Sequence, residues 1–202
     1  MTGNKTIRAI SATAVAFAFA VVVAGCATSG PAPTGSPSAS SSSTSTARPT
    51  PTSTATATPI DGQCDTGDLS GTIAQGGGGA AGSVEVTLVL TNNGAGECSL
   101  QGWPGVSFVG DGNGTQLGAA AQFDRSTPHS TVVLKPGGTA QAPLRITQAL
   151  NYPEADCAPK QADGFRVYPP GSTESLFVKD AGVTACTKDS VTLLTVGALV
   201  AG

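Results

Sequence analysis

The chain has 202 residues, with 10 Lys and Arg against 13 Asp and Glu, one histidine and a formal charge of −3. No Lys/Arg run exists, so the clustered positive footprint that nucleic-acid binding requires is missing. Export would remove Lys5 and Arg8 but none of the thirteen acidic residues, taking the formal charge to −5.

The amino terminus carries the clearest signal. Lys5 and Arg8 precede an apolar run over residues 9–24, which ends in Val23-Ala24-Gly25-Cys26. At 16 residues the run is shorter than the roughly 20 that span a bilayer comfortably, but it has the form of an export signal. A cysteine at the small-residue boundary looks like the lipobox of bacterial lipoproteins. That resemblance implies removal of residues 1–25 and acylation of Cys26. Two acyl chains would then hold the protein on the extracytoplasmic face of the cell membrane, each buried methylene contributing about 0.8 kcal/mol. A retained membrane helix and a secreted protein with a chance cysteine are the other readings.

Residues 26–59 read as a disordered linker. Over positions 29–59, 17 residues are Ser or Thr, six are Pro and only Arg48 is charged. Too little apolar surface is present to offset the entropy of ordering it. In a polyproline-like form it would reach about 95 Å, and as a coil about 30 Å.

Residues 60–202 read as one domain of all-β texture. Val84 to Leu90 (VEVTLVL) is the clearest strand, closed by a turn at Asn92-Asn93-Gly94 that tolerates positive φ. Further strands are expected at about 69–74, 105–110, 130–134, 139–147, 164–168, 174–179 and 191–196. The four glycines from Gly76 to Gly79 are expected to form a flexible loop, and Asp111-Gly112-Asn113-Gly114 and Lys135-Pro136-Gly137-Gly138 tight turns. Seven or eight short strands at this spacing predict an immunoglobulin-like sandwich of two antiparallel sheets, with a closed barrel as the alternative.

Four cysteines remain in the domain: Cys64, Cys98, Cys157 and Cys186. An even number in an exported domain implies two disulfides, and three connectivities are possible. The sequential scheme, Cys64–Cys98 with Cys157–Cys186, is favoured here. No pair has the close spacing of structural zinc ligands.

Tests for chemistry return little. His129, in Ser126-Thr127-Pro128-His129-Ser130, is the sole imidazole that could serve a nucleophile, and no Gly-x-Ser-x-Gly elbow occurs in the domain. It reads as an exposed turn residue. Glu85, Glu97, Glu154, Glu174 and Asp156 offer no reason to place two carboxylates across a cleft. Glu85 is expected on the outer sheet face. The Asp111 turn faintly resembles a calcium loop but lacks a ligand at Thr115 and a distal glutamate. Trp103, between Gly102 and Pro104-Gly105, reads either as a cap on the core against Cys98 and Leu100 or as a binding anchor. Tyr152 and Tyr168 carry the same ambiguity.

A set of segments runs through the domain: Ala81-Gly82-Ser83, Leu90-Thr91-Asn92-Asn93, Cys98-Ser99-Leu100-Gln101-Gly102-Trp103-Pro104-Gly105-Val106 and Leu134-Lys135-Pro136-Gly137-Gly138-Thr139-Ala140, with Cys157, Val167-Tyr168-Pro169-Pro170 and Cys186. Together they resemble a family of exported actinobacterial domains, often lipoproteins, of unknown function. The match covers nearly all of residues 62–198. It implies a β-sandwich with two disulfides at the cell surface, and it transfers no activity. The expectation is therefore a non-enzymatic, membrane-tethered module, without cofactor or metal, that binds an envelope polymer or protein through Trp103 or Tyr152. The alternatives are an envelope hydrolase using His129 or an acidic pair, and a small-molecule carrier with a cavity between the sheets.

Overall fold

The computed structural model describes residues 59–79 and 82–202. The expected export segment, Cys26 and the expected linker through residue 58 lie outside the described residues. Fourteen strands follow one another: β1 (Leu69–Gly78), β2 (Ser83–Asn92), β3 (Cys98–Gln101), β4 (Gly105–Gly110), β5 (Thr115–Leu117), β6 (Gln122–Phe123) and β7 (Thr131–Leu134). Then come β8 (Thr139–Thr147), β9 (Pro159–Gln161), β10 (Gly164–Tyr168), β11 (Leu176–Lys179), β12 (Thr184–Cys186), β13 (Leu194–Val196) and β14 (Val200–Ala201). Helix is confined to single turns, and no described helix is long and apolar enough to cross a membrane.

One sheet runs β1-β2-β8-β13-β6, with β14 also on β8; the other runs β11-β10-β4-β5. Short ladders β3-β7 and β12-β9 complete the structure. Side chains from both large sheets meet in one core. Leu88, Leu90, Ala140, Ala142, Leu144 and Ile146 come from the first, and Val106, Phe108, Phe165, Val167 and Val178 from the second. Phe108 and Phe165, opposite each other in register, stack at 5.1 Å. The result is a β-sandwich, although one pairing departs from the expected antiparallel pattern: β6 lies parallel to β13.

β8 shows how the pattern works. Ala140, Ala142, Leu144 and Ile146 are buried at every second position and oppose Leu90, Leu88, Val86 and Val84 of β2. Pro143 lies in the middle of this central strand, where a missing N–H would normally break a ladder. Its carbonyl accepts from Gly197 on the side away from β2, so its absent donor faces the gap between β13 and β14. The strand that would have needed that hydrogen bond is interrupted at this point.

Two expected turns differ in the structure. Gly76 to Gly78 are not a flexible loop but the end of β1, paired to β2 across an irregularity between Gln75 and Gly78. A Cβ at Gly76 would run into the Glu85 carbonyl, so the glycine permits close backbone approach. At the end of β2, neither Asn92 nor Asn93 takes positive φ. Asn92 is buried at 1% exposure and joins two turns instead. Its Nδ2 donates to Gly96 O at 2.8 Å and Leu134 O at 3.0 Å, and its Oδ1 accepts from Gly94 N at 2.9 Å.

The cysteines pair as Cys64–Cys98 and Cys157–Cys186, with Cα separations of 4.7 and 4.5 Å. The first fastens the segment before β1 onto β3, where Cys64 N also donates to Ser99 O. The second fastens the helical turn Glu154–Cys157 onto β12.

Candidate functional site

Alternation in the second sheet turns Val106, Phe108, Phe165 and Val167 inward, leaving Gly105, Ser107 and Tyr168 on the outer face. Along this end of β4 lies an open groove of about 960 Å³. Its lining draws on residues from the segments 101–107, 120–129 and 168–173, with Pro59, Ile60 and Gln116. Ser107 is only 6% exposed, and its hydroxyl makes no hydrogen bond among the described residues. A groove lined by such a side chain offers a donor or acceptor that the protein itself leaves unused.

Trp103 lies between β3 and β4. Gly102, at φ 106°, interrupts the strand alternation there, and its carbonyl is held by Leu199 N. The indole is half-buried and stands apart from the hydrophobic core. Its ring neighbours are not Cys98 and Leu100, as the capping alternative proposed, but residues from the segment around β6. Nε1 donates to Asp124 O at 2.6 Å, Phe123 stacks at 6.3 Å and His129 meets the ring edge-on at 4.7 Å. The Arg125 guanidinium lies 4.6 Å from the Trp103 centroid and 5.5 Å from that of Phe123. Such cation–aromatic contacts contribute about 0.5–1 kcal/mol at exposed sites.

Asp124 fixes the turn that presents Arg125. Its Oδ1 accepts from Ser126 N at 2.9 Å. Side-chain and then backbone hydrogen bonding by Ser126 hold its carboxyl below the ordinary value of 3.8; the Arg145 charge acts the same way, and desolvation opposes it. The carboxylate is thus engaged by Ser126.

The other sequence candidates are dispersed. His129 is exposed and lines the groove, but no hydrogen bond joins it to Ser107 or to any carboxylate among the described residues. Glu85, Glu97, Glu154, Glu174 and Asp156 are all exposed, and Glu85 faces Arg145 across the β2–β8 register on the outer face. Tyr152 packs against the core and does not join Trp103, whereas Tyr168 does line the groove. The Asp111 turn is a hairpin joining β4 to β5, with positive φ at Asp111, Gly112 and Gly114. Asp111 pairs with Lys160 and Asn113 Oδ1 accepts from Thr115, so these oxygens are engaged within the protein. No cluster of three His, Cys, Asp or Glu with metal-binding geometry occurs among the described residues. Sequence reading missed Phe123, Arg125 and Ser107. An Asp-x-Ser turn placing an arginine beside an aromatic was the available signal.

No curated protein and no solved structure matches the chain. The profile of a domain of unknown function, DUF4232, matches residues 64–200, which span both disulfides, both large sheets apart from Ala201, and the Trp103 groove apart from Pro59 and Ile60. The chain belongs to the DUF4232 family.

Proposed function

We propose that this protein is an extracytoplasmic binding module, tethered to the membrane through lipid on Cys26, which holds an envelope component in the groove beside Trp103. The lipobox-like segment and the Ser/Thr/Pro linker support the tether. Two disulfides suit an oxidising exterior. The observation that carries the binding reading is the half-buried Trp103, placed outside the core and braced by Phe123, Arg125 and His129 along an open groove. Aromatic and arginine side chains held rigidly at a concave surface are the usual anchors of recognition.

The test uses the full chain in mild detergent, immobilised and exposed to soluble fragments of enzymatically digested envelope. The wild type is expected to retain a fragment class that Trp103→Ala and Ser107→Val variants release. Equal retention by all three proteins would refute the groove as the binding site.

A further inference from the structure

We infer that the groove takes a saccharide ring carrying a carboxylate, with Arg125 as its anion contact and Ser107 as a hydrogen-bonding partner for a ring hydroxyl. This rests on the proposed binding role and names the ligand class.

The charge pattern comes first. The chain is acidic overall, yet no Asp or Glu lines the groove, while Arg125 and His129 both do. Of the described cations that make no ion pair or side-chain hydrogen bond (Arg125, Lys135, Arg145 and Lys179), only Arg125 lines the groove. Lys160 is paired with Asp111, Arg166 donates to Gly114 O and Lys188 donates to Ala155 O. Arg125 is exposed and has neither a carboxylate nor a hydrogen-bond acceptor among the described residues. Its guanidinium carbon lies over the Trp103 and Phe123 rings, and none of its N–H groups meets an acceptor among the described residues. Asp124, next in sequence, accepts from Ser126 and makes no ion pair with Arg125.

The planar fork can hold a planar carboxylate through two parallel hydrogen bonds. Around that fork the groove offers neutral polar groups. The hydroxyl of Ser107, open to the groove since no buried side-chain polar atom among the described residues lacks a partner, and Gln101 in the same lining make no side-chain hydrogen bonds among them. Hydroxyls of a sugar ring would satisfy both.

Trp103 is the only tryptophan in the chain, so its emission reports the site directly. The full chain in detergent is titrated with galacturonate, with its neutral methyl ester and with a galactose phosphate. The acid is expected to shift the emission at about tenfold lower concentration than the ester, one guanidinium–carboxylate contact being of that size. Arg125→Gln should abolish the difference, while Lys135→Gln, a cation outside the groove, should preserve it. Raising salt from about 20 to about 200 mM should narrow the difference in the wild type. Equal binding of acid and ester would overturn the anion assignment and leave the groove standing. Tighter binding of the phosphate would overturn the carboxylate assignment. Binding of none of the three would overturn the saccharide assignment, and the envelope-fragment experiment would then decide separately whether the groove binds anything.

Discussion

Replacing Asn92 by alanine should be the costliest polar substitution in the domain. The side chain is 1% exposed, and it joins the turn after β2 to the end of β7 through three hydrogen bonds. Each is worth about 1 kcal/mol net, and the bond to Leu134 O is buried on both sides, so its loss also leaves an acceptor without water. The expected loss is about 3–4 kcal/mol. For a domain of 143 residues this lowers the melting temperature by about 10 °C. Asn92→Asp should be at least as damaging near neutral pH, because it keeps the shape, removes both donors and buries a charge against two carbonyls. Asn93→Ala is the control: Asn93 is exposed and has no side-chain hydrogen bond among the described residues, so the change should stay within about 0.5 kcal/mol. Thermal unfolding followed by circular dichroism, with both disulfides intact, measures all three. A loss under about 1 kcal/mol for Asn92→Ala would refute the view that this amide holds the two turns together.

Replacing Cys157 and Cys186 together by alanine should cost about 2–4 kcal/mol in denaturant unfolding, since the bridge closes a 29-residue separation. Gly76→Ala should destabilise by about 1–3 kcal/mol in the same assay, because its methyl meets the Glu85 carbonyl in the paired strand. Asp124 has a depressed carboxyl, so its contribution is fully present above the ordinary value of 3.8 and is lost as pH falls through the folded-state value. Wild-type protein should therefore lose more stability between about pH 5 and about pH 2.5 than Asp124→Asn does, as read from melting temperatures.

Where one face of a strand is buried over several residues, alternation revealed it. The expected limits of β4, β8 and β10 coincide with those observed, because Val106/Phe108, Ala140 to Ile146 and Phe165/Val167 repeat at period two. Strands of two to four residues, such as β3, β5, β6, β9, β12 and β14, are too short to show a period and were missed. Their positions are fixed by partners distant in the chain. Gln122–Phe123, for example, is a strand because β13 passes beside it. The glycine run misled for a related reason. A row of residues without side chains resembles a loop, yet here the close approach of β2 requires it.

The site was only half legible. Trp103 stood out as a solitary aromatic in a constrained turn, but its surroundings depend on residues 123–129, which are brought to it by tertiary packing. Asn92 was likewise read as a local turn residue, whereas its partners at Gly96 and Leu134 make it a connector. Local composition tells little about which distant carbonyl an amide will reach.

The binding reading is tested most directly by the indole N–H resonance of Trp103, the one such signal in the chain, followed by heteronuclear NMR during titration with soluble envelope fragments. If ligand enters the groove, this signal and the amides of Ser107, Arg125 and His129 move together and saturate at one concentration. If those four stay fixed while signals elsewhere shift, the protein engages its partner through another surface and the groove is not its site.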